Sequence, residues 1–204
     1  MRSFVAGPRL SVRRALLAGL ARDVPLAAVR HNDRPVYVEE GYGGRPIEHF
    51  PPYRFFRLYR EGQPDQARAE FRAWYREQYR RYAGVPKQQG GMQGGTLHRL
   101  VASQCEAEGV ELPADGAAVA EAPLERAIGR RVEQRFALLE SLRERGYDRA
   151  LAPPILALRR GPECHLLGGH HRAAALRVLG QERLPGVSVF PPSAFRALKR
   201  TGIV

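Results

Sequence analysis

Lysine is almost missing from this chain. Of its 33 basic residues only Lys87 and Lys199 are lysines, and the remainder are arginines spread from end to end of the 204 positions. With no compact basic block, the net charge of +12 points to an anionic partner in general: nucleotide, nucleic acid or phosphorylated metabolite. An arginine-for-lysine skew of this kind is also what genome composition can impose. Cysteine is scarce too. Cys105 and Cys164 stand far apart and share no CxxC or Cys/His spacing, so neither a disulfide framework nor a zinc site is indicated and a reducing cytoplasm fits best. No run approaches the roughly 20 apolar residues of a membrane helix. Residues 1–22 carry Arg2, Arg9, Arg13, Arg14 and Arg22 without an acid, but the apolar piece Ala15 to Leu20 is too short for a secretory core. An ordinary basic helix is expected over Leu10 to Arg22.

What the chain does contain divides into a broken first half and a regular last third. Pro35-Val-Tyr-Val38 reads as a short strand, and Gly41 to Pro46 and Phe50-Pro-Pro52 read as loop. A long helix is expected where Ala67, Phe71, Trp74, Tyr75, Gln78 and Tyr82 recur at spacings of three and four, with arginine and glutamate between them. Its second face is basic, either a solvated arginine face or a nucleic-acid stripe. The glycine-rich run Lys87 to Thr96 precedes a helix over Leu97 to Glu108, with Thr96 as N-cap. Such a run suits a turn or hinge. It also suits an anion loop in which Lys87 supplies charge, although the order differs from a GxxxxGK[ST] phosphate loop. Residues Gly109 to Pro123 have no apolar period, so the expected division is a mainly helical region over 1–120 and a second domain over 121–204.

In that second domain, Ile128, Val132, Phe136, Leu139 and Leu142 mark a helix over Leu124 to Arg145 with Gly146 as its C-terminal stop. Ile155 to Leu158 and Cys164 to Leu167 read as a hairpin, Gly168-Gly169 as a bend into a helix closed by Gly180, and Leu184 to Val189 as a third strand. The bend carries the chemistry. A strand that turns through glycines into a helix aims free backbone amides and the positive end of the helix dipole at one point. His170, His171 and Arg172 fall in the first turn, where cations are unfavourable unless an anion faces them. Phosphate oxygens would satisfy that arrangement, with Arg172 as a bidentate clamp and Gly168 and Gly169 allowing close approach. Adjacent helical residues point about 100° apart, so His170 and His171 are poorly placed to share a metal.

Glu140-Ser-Leu-Arg-Glu-Arg-Gly146, Pro154-Ile-Leu156, Leu166-Leu-Gly-Gly-His-His-Arg-Ala-Ala-Ala-Leu176, Leu179-Gly180 and Leu184-Pro185 together resemble the ParB N-terminal/sulfiredoxin superfamily, over roughly the last 80 residues. The resemblance implies an α+β fold: a small mixed-sheet domain, here with a mainly helical N-terminal extension. It also implies a nucleotide-phosphate cradle, which family members use for a CTP switch, for ATP-dependent sulfinic acid repair, or for phosphorylation of free serine. Departures narrow the choice. His170 stands where sulfiredoxin has its cysteine nucleophile, Ala174 where ParB has a second arginine, and Gly168 where the ParB-like serine kinases have aspartate. No helix-turn-helix segment follows the cradle.

The resemblance implies binding of a nucleoside di- or triphosphate (ATP, ADP or CTP) with Mg2+, and transfer of phosphate to a small hydroxylated metabolite. Glu121 or Glu125 would act as base, His170 is counted with them among the candidate catalytic groups, and Lys87 would close over the ligand. Two alternatives stand beside it: a DNA-binding or nuclease-like module, motivated by the charge, and a non-catalytic regulator that senses nucleotide.

Overall fold

The computed structural model describes residues 21–32, 35–85, 95–112, 119–148 and 155–200. The glycine-rich run from Lys87 to Gly94, and most of the helix expected over Leu10 to Arg22, lie outside them. The architecture is mixed α+β: seven helices among the described residues and one five-stranded sheet.

The sheet consists of β1 (Ala21–Pro25), β2 (Val29–Arg30), β3 (Ile155–Arg160), β4 (Glu163–Leu166) and β5 (Arg183–Phe190), in the order β1-β5-β3-β4-β2. The hairpin β3–β4 turns at Gly161, whose φ of 58° is the left-handed region that glycine enters without strain. Arg159 and Arg160, expected in the loop, extend β3 because their side chains reach solvent while their backbones pair with Cys164 and Glu163. β5 runs parallel to β3, with Ile155 opposite Val187.

Both edges of the sheet come from the start of the chain. β1 is antiparallel to β5 (Ala21 opposite Ser188) and β2 is parallel to β4 (Val29 opposite Cys164). Ala21 and Arg22, the end of the expected basic helix, are therefore extended strand. Their conformation is set by the open edge of β5, a partner more than 160 residues away that no local propensity reveals.

The helices are α1 (Pro35–Glu39), α2 (Pro51–Arg60), α3 (Pro64–Tyr82), α4 (Thr96–Ala107), α5 (Glu121–Arg145), α6 (His170–Val178) and α7 (Pro192–Arg200). The strand expected at Pro35 to Val38 is instead α1. Proline presets φ at a helix start, and the Tyr37 carbonyl accepts from the Tyr42 and Gly43 N–H groups in place of a strand ladder. Thr96 is the first helical residue of α4 and Gly95 holds the cap position, with no side-chain cap bond. The periodicity of α3 is as the sequence implies: Ala67, Phe71, Tyr75, Gln78 and Tyr82 are buried, together with Tyr79. Cys105 is buried among apolar neighbours on α4.

One hydrophobic cluster runs across residue 120, from Val24, Phe56 and Phe71 to Ile128, Phe136, Ile155, Leu176 and Val187. Within it α6, whose buried face is Ala173, Ala174, Ala175, Leu176 and Val178, packs against both α2 and α5. That packing brings the start of α6 beside the middle of α3 and α5. No helix among the described residues is long and apolar enough to cross a membrane.

Candidate functional site

The turn from β4 into α6 is built by two glycines with different duties. Gly169 caps α6 with φ 80°, and a Cβ there would meet the Ile155 side chain at 2.9 Å. Both the backbone conformation and the space demand glycine. At Gly168 a Cβ would meet nothing within 4 Å, so the space in front of that residue is open. The first amides of α6 follow directly, and these lack intrahelical acceptors.

The side chains of the first turn go three ways. His170 folds back. Its ring stacks on His31 with centroids 4.0 Å apart, and Nε2 lies 3.2 Å from the Leu166 carbonyl and 3.3 Å from Asn32 Nδ2. His171 points toward α3, where its Nε2 is 3.2 Å from the Tyr75 hydroxyl and its ring lies against Phe50. Burial, and then the nearby Arg135 and Arg131, hold His171 well below the ordinary imidazole range. A neutral His171 accepts the Tyr75 O–H at Nε2 and carries its own proton on Nδ1. Arg172 donates from Nη1 to the Tyr147 hydroxyl at 3.0 Å, and its guanidinium lies 5.9 Å from the centre of that ring. Burial lowers its pKa.

Two arginines that sequence reasoning passed over complete the place. Arg135 donates from Nε to the Tyr75 oxygen at 3.2 Å, and Arg131, one turn earlier, donates from Nη1 to the Gln134 side-chain oxygen at 3.1 Å. Tyr75 thus accepts from α5 and donates to α6. Desolvation pulls the Arg131 pKa down, the neighbouring Arg135 contributing in the same direction. Neither Arg131 nor Arg135 has a salt-bridge partner among the described residues. On a helical wheel Arg135 falls about 20° and Arg131 about 60° from Ile128. They therefore sit within the arc of α5 that buries Leu124, Ile128, Val132 and Leu139. Arginines within a largely apolar arc were the available signal.

The carboxylates expected to act as base lie elsewhere on α5. Glu125 accepts from Arg76 Nε at 2.5 Å, and this bond holds its carboxyl below the usual range. Glu121 pairs with Arg80 at 3.4 Å and with Arg76 at 3.8 Å. Glu125 is six residues from Arg131, about 9 Å along the helix. Gly168, Gly169, His170, His171 and Arg172 are together; Glu121 and Glu125 stand apart from them, and Lys87 lies outside the described residues.

The same ion pairs account for the basic face of α3. Arg68 bonds Glu133 at 3.0 Å, Arg76 bonds Glu125, and Arg80 bonds Glu121, so arginines spaced by four on α3 meet glutamates spaced by four on the antiparallel α5. Opposite Arg72 the rung is Gly129, where a Cβ would stand 3.5 Å from the guanidinium.

The groups around the α6 turn are cations and neutral donors, a set that suits an anion. It does not suit Mg2+, which takes carboxylates and phosphate oxygens, and the described residues contain no group of three His, Cys, Asp or Glu placed to hold a metal. No family model matches the chain, and no curated protein or solved structure matches it.

Proposed function

We propose that the protein binds the phosphates of a nucleoside di- or triphosphate (ATP, ADP or CTP) at the turn from β4 into α6, as the resemblance to the ParB N-terminal/sulfiredoxin superfamily implies. One observation carries this reading: Arg131 and Arg135 lie on the core-facing arc of α5, without a carboxylate partner among the described residues, beside the glycine-led start of α6. Both are half-buried, and a cation partly withdrawn from water with no carboxylate beside it carries a desolvation cost. A bound phosphate offsets that cost with charge-assisted bonds, and the first amides of α6 add donors aligned with the helix dipole.

In this reading the duties differ from those the sequence suggested. Gly168 leaves room for an oxygen to approach the backbone, the α6 amides donate, and Arg131, Arg135 and Arg172 supply charge. His170 contributes its amide while its ring braces the turn against His31. Tyr75 holds the guanidinium of Arg135 and fixes the tautomer of His171. Mg2+ would arrive with the phosphates and supply charge neutralisation there; no residue of the turn is assigned to it.

Transfer of the phosphoryl group to a hydroxylated metabolite is the active form of the proposal, and it requires Arg76 to release Glu125 or another group to serve as base. The engagement of Glu125 by Arg76 favours a second form in which the protein senses nucleotide without turnover. A DNA-binding role has less to stand on, because three of the α3 arginines are matched by glutamates of α5.

Calorimetric titration with ATP, ADP, CTP and pyrophosphate, with and without magnesium, tests the binding claim. The wild type should bind at least one of them, and the double substitution Arg131→Leu/Arg135→Leu should abolish it. Equal affinity in both proteins would remove the cradle. Labelled γ-phosphate, followed over a panel of hydroxylated acceptors, separates the kinase form from the sensor form.

A further inference from the structure

The face of α6 that begins with Arg172 continues through Leu176 and Leu179, at i+4 and i+7, so the three side chains form one stripe. That stripe leads into a cavity of about 290 Å³ at the junction of α2, the end of α5 and the end of α6. Its floor is apolar: Leu142 and Leu176 are 8% and 4% exposed, with Leu179 beside them. Its rim carries two guanidiniums, Arg60 from α2 and Arg143 from α5. Tyr147 forms the wall on the side of the phosphate turn, and its hydroxyl is the group that accepts from Arg172.

We propose that this cavity is a binding site for a small amphipathic carboxylate, with its apolar body on the three leucines and its carboxylate between Arg60 and Arg143. The volume lies at the lower limit of small-molecule sites, which fits a metabolite of amino-acid size and is too small for a nucleotide or a peptide. Both guanidiniums are anchored and still have donors to offer. Arg60 bonds the Val178 carbonyl at the end of α6, and Arg143 bonds Glu140 at 2.5 Å. A guanidinium has five N–H donors, so one anchor steadies it without exhausting it. An apolar floor with two cations at its rim selects against neutral hydrocarbons, whose burial leaves the guanidiniums unrewarded, and against inorganic phosphate, which gains nothing from leucine. Because Tyr147 touches both places, a molecule here lies next to the phosphate turn. That it is the partner on which a bound nucleotide would act rests on the phosphate reading above; that the cavity takes a carboxylate does not.

Amide chemical-shift titration of the full chain with 4-methylpentanoate, its uncharged amide, and pyrophosphate tests the proposal. The carboxylate should saturate shifts at Leu142, Gly146, Leu179 and Gln181, and the uncharged amide should bind at least about tenfold more weakly, a difference of about 1.4 kcal/mol. Leu179→Trp, which fills the cavity, should abolish the carboxylate shifts, and Arg143→Ala, at the exposed rim, should weaken them by about tenfold. Equal binding of carboxylate and amide overturns the proposal. So do carboxylate shifts that survive Arg143→Ala unchanged, or shifts confined to residues outside the cavity. Pyrophosphate should shift Gly168 to Arg172 instead. If pyrophosphate has no effect while the carboxylate saturates, the cavity stands and the phosphate reading falls.

Discussion

Helix α5 shows two faces that treat arginine in opposite ways. Toward α3, guanidiniums are matched: Glu121, Glu125 and Glu133 meet Arg80, Arg76 and Arg68 in a regular ladder. Toward α6, the half-buried Arg131 and Arg135 sit beside buried leucine and isoleucine, Arg135 held by the Tyr75 hydroxyl and Arg131 by Gln134. The first face runs from half-buried at Arg76 and Glu125 to exposed at Arg80 and Glu121, and such pairs contribute little to stability. The second is half-buried and lacks the acids. Position on the helix, more than the number of charges, separates a solvated surface from a candidate site.

The largest effect should come from removing the unmatched pair. Arg131→Leu/Arg135→Leu extends the apolar stripe of α5 and leaves the Tyr75 O–H bonded to His171. We expect loss of phosphate affinity, with a gain in stability of only about 1 kcal/mol because both guanidiniums are half-buried. Denaturant unfolding and calorimetry on the same protein check both. A variant less stable than the wild type would show that these cations are matched after all.

Next comes the response to pH. The His171 pKa is below the ordinary 6.5 in the folded state, so below that pH the unfolded chain binds more protons than the folded one. The contribution of a neutral His171 is therefore complete above about pH 6.5 and is lost as pH falls toward the lower folded value. Melting temperature should decline from pH 7 to pH 5, before Glu108 and Glu125 titrate, since both are held below 4.5. His171→Gln should flatten that slope; an unchanged slope would assign the titration to another group.

The matched face can be completed. Gly129→Glu supplies the missing rung opposite Arg72 and replaces a helix-interior glycine, worth about 1 kcal/mol in propensity and at most about 1 kcal/mol more as an exposed pair. The smallest change should follow removal of an existing rung. Glu133→Gln should alter stability by no more than about 0.5 kcal/mol, and phosphate binding not at all.

Much of the last third was legible because its signals are local. The period of Ile128, Val132, Phe136, Leu139 and Leu142 fixes α5, Gly161 turns the hairpin, and Gly169 with Gly180 brackets α6. The first third was not. Ala21 to Pro25 contains one buried apolar residue, Val24, and becomes a strand only because β5 offers it an edge. Pro35 to Val38 has the composition of a strand and lacks a ladder to join. At the candidate site, the turn through Gly168 and Gly169 was visible in sequence. Tyr75, His31, Arg131 and Arg135 were not, because they reach the turn from three separate parts of the chain and only packing brings them there.

The two outer strands of the sheet also govern how the molecule is made. Residue 21 must find residue 188, and residue 29 must find residue 164, so each outer strand waits for a partner made more than a hundred residues later. Contacts that distant in sequence close slowly. In the interval, β4 and β5 would each present a bare row of N–H and C=O groups, a template for strands of other chains. A fragment beginning at residue 121 makes that interval permanent and should self-associate, whereas the whole chain covers those two rows with the short strands β1 and β2.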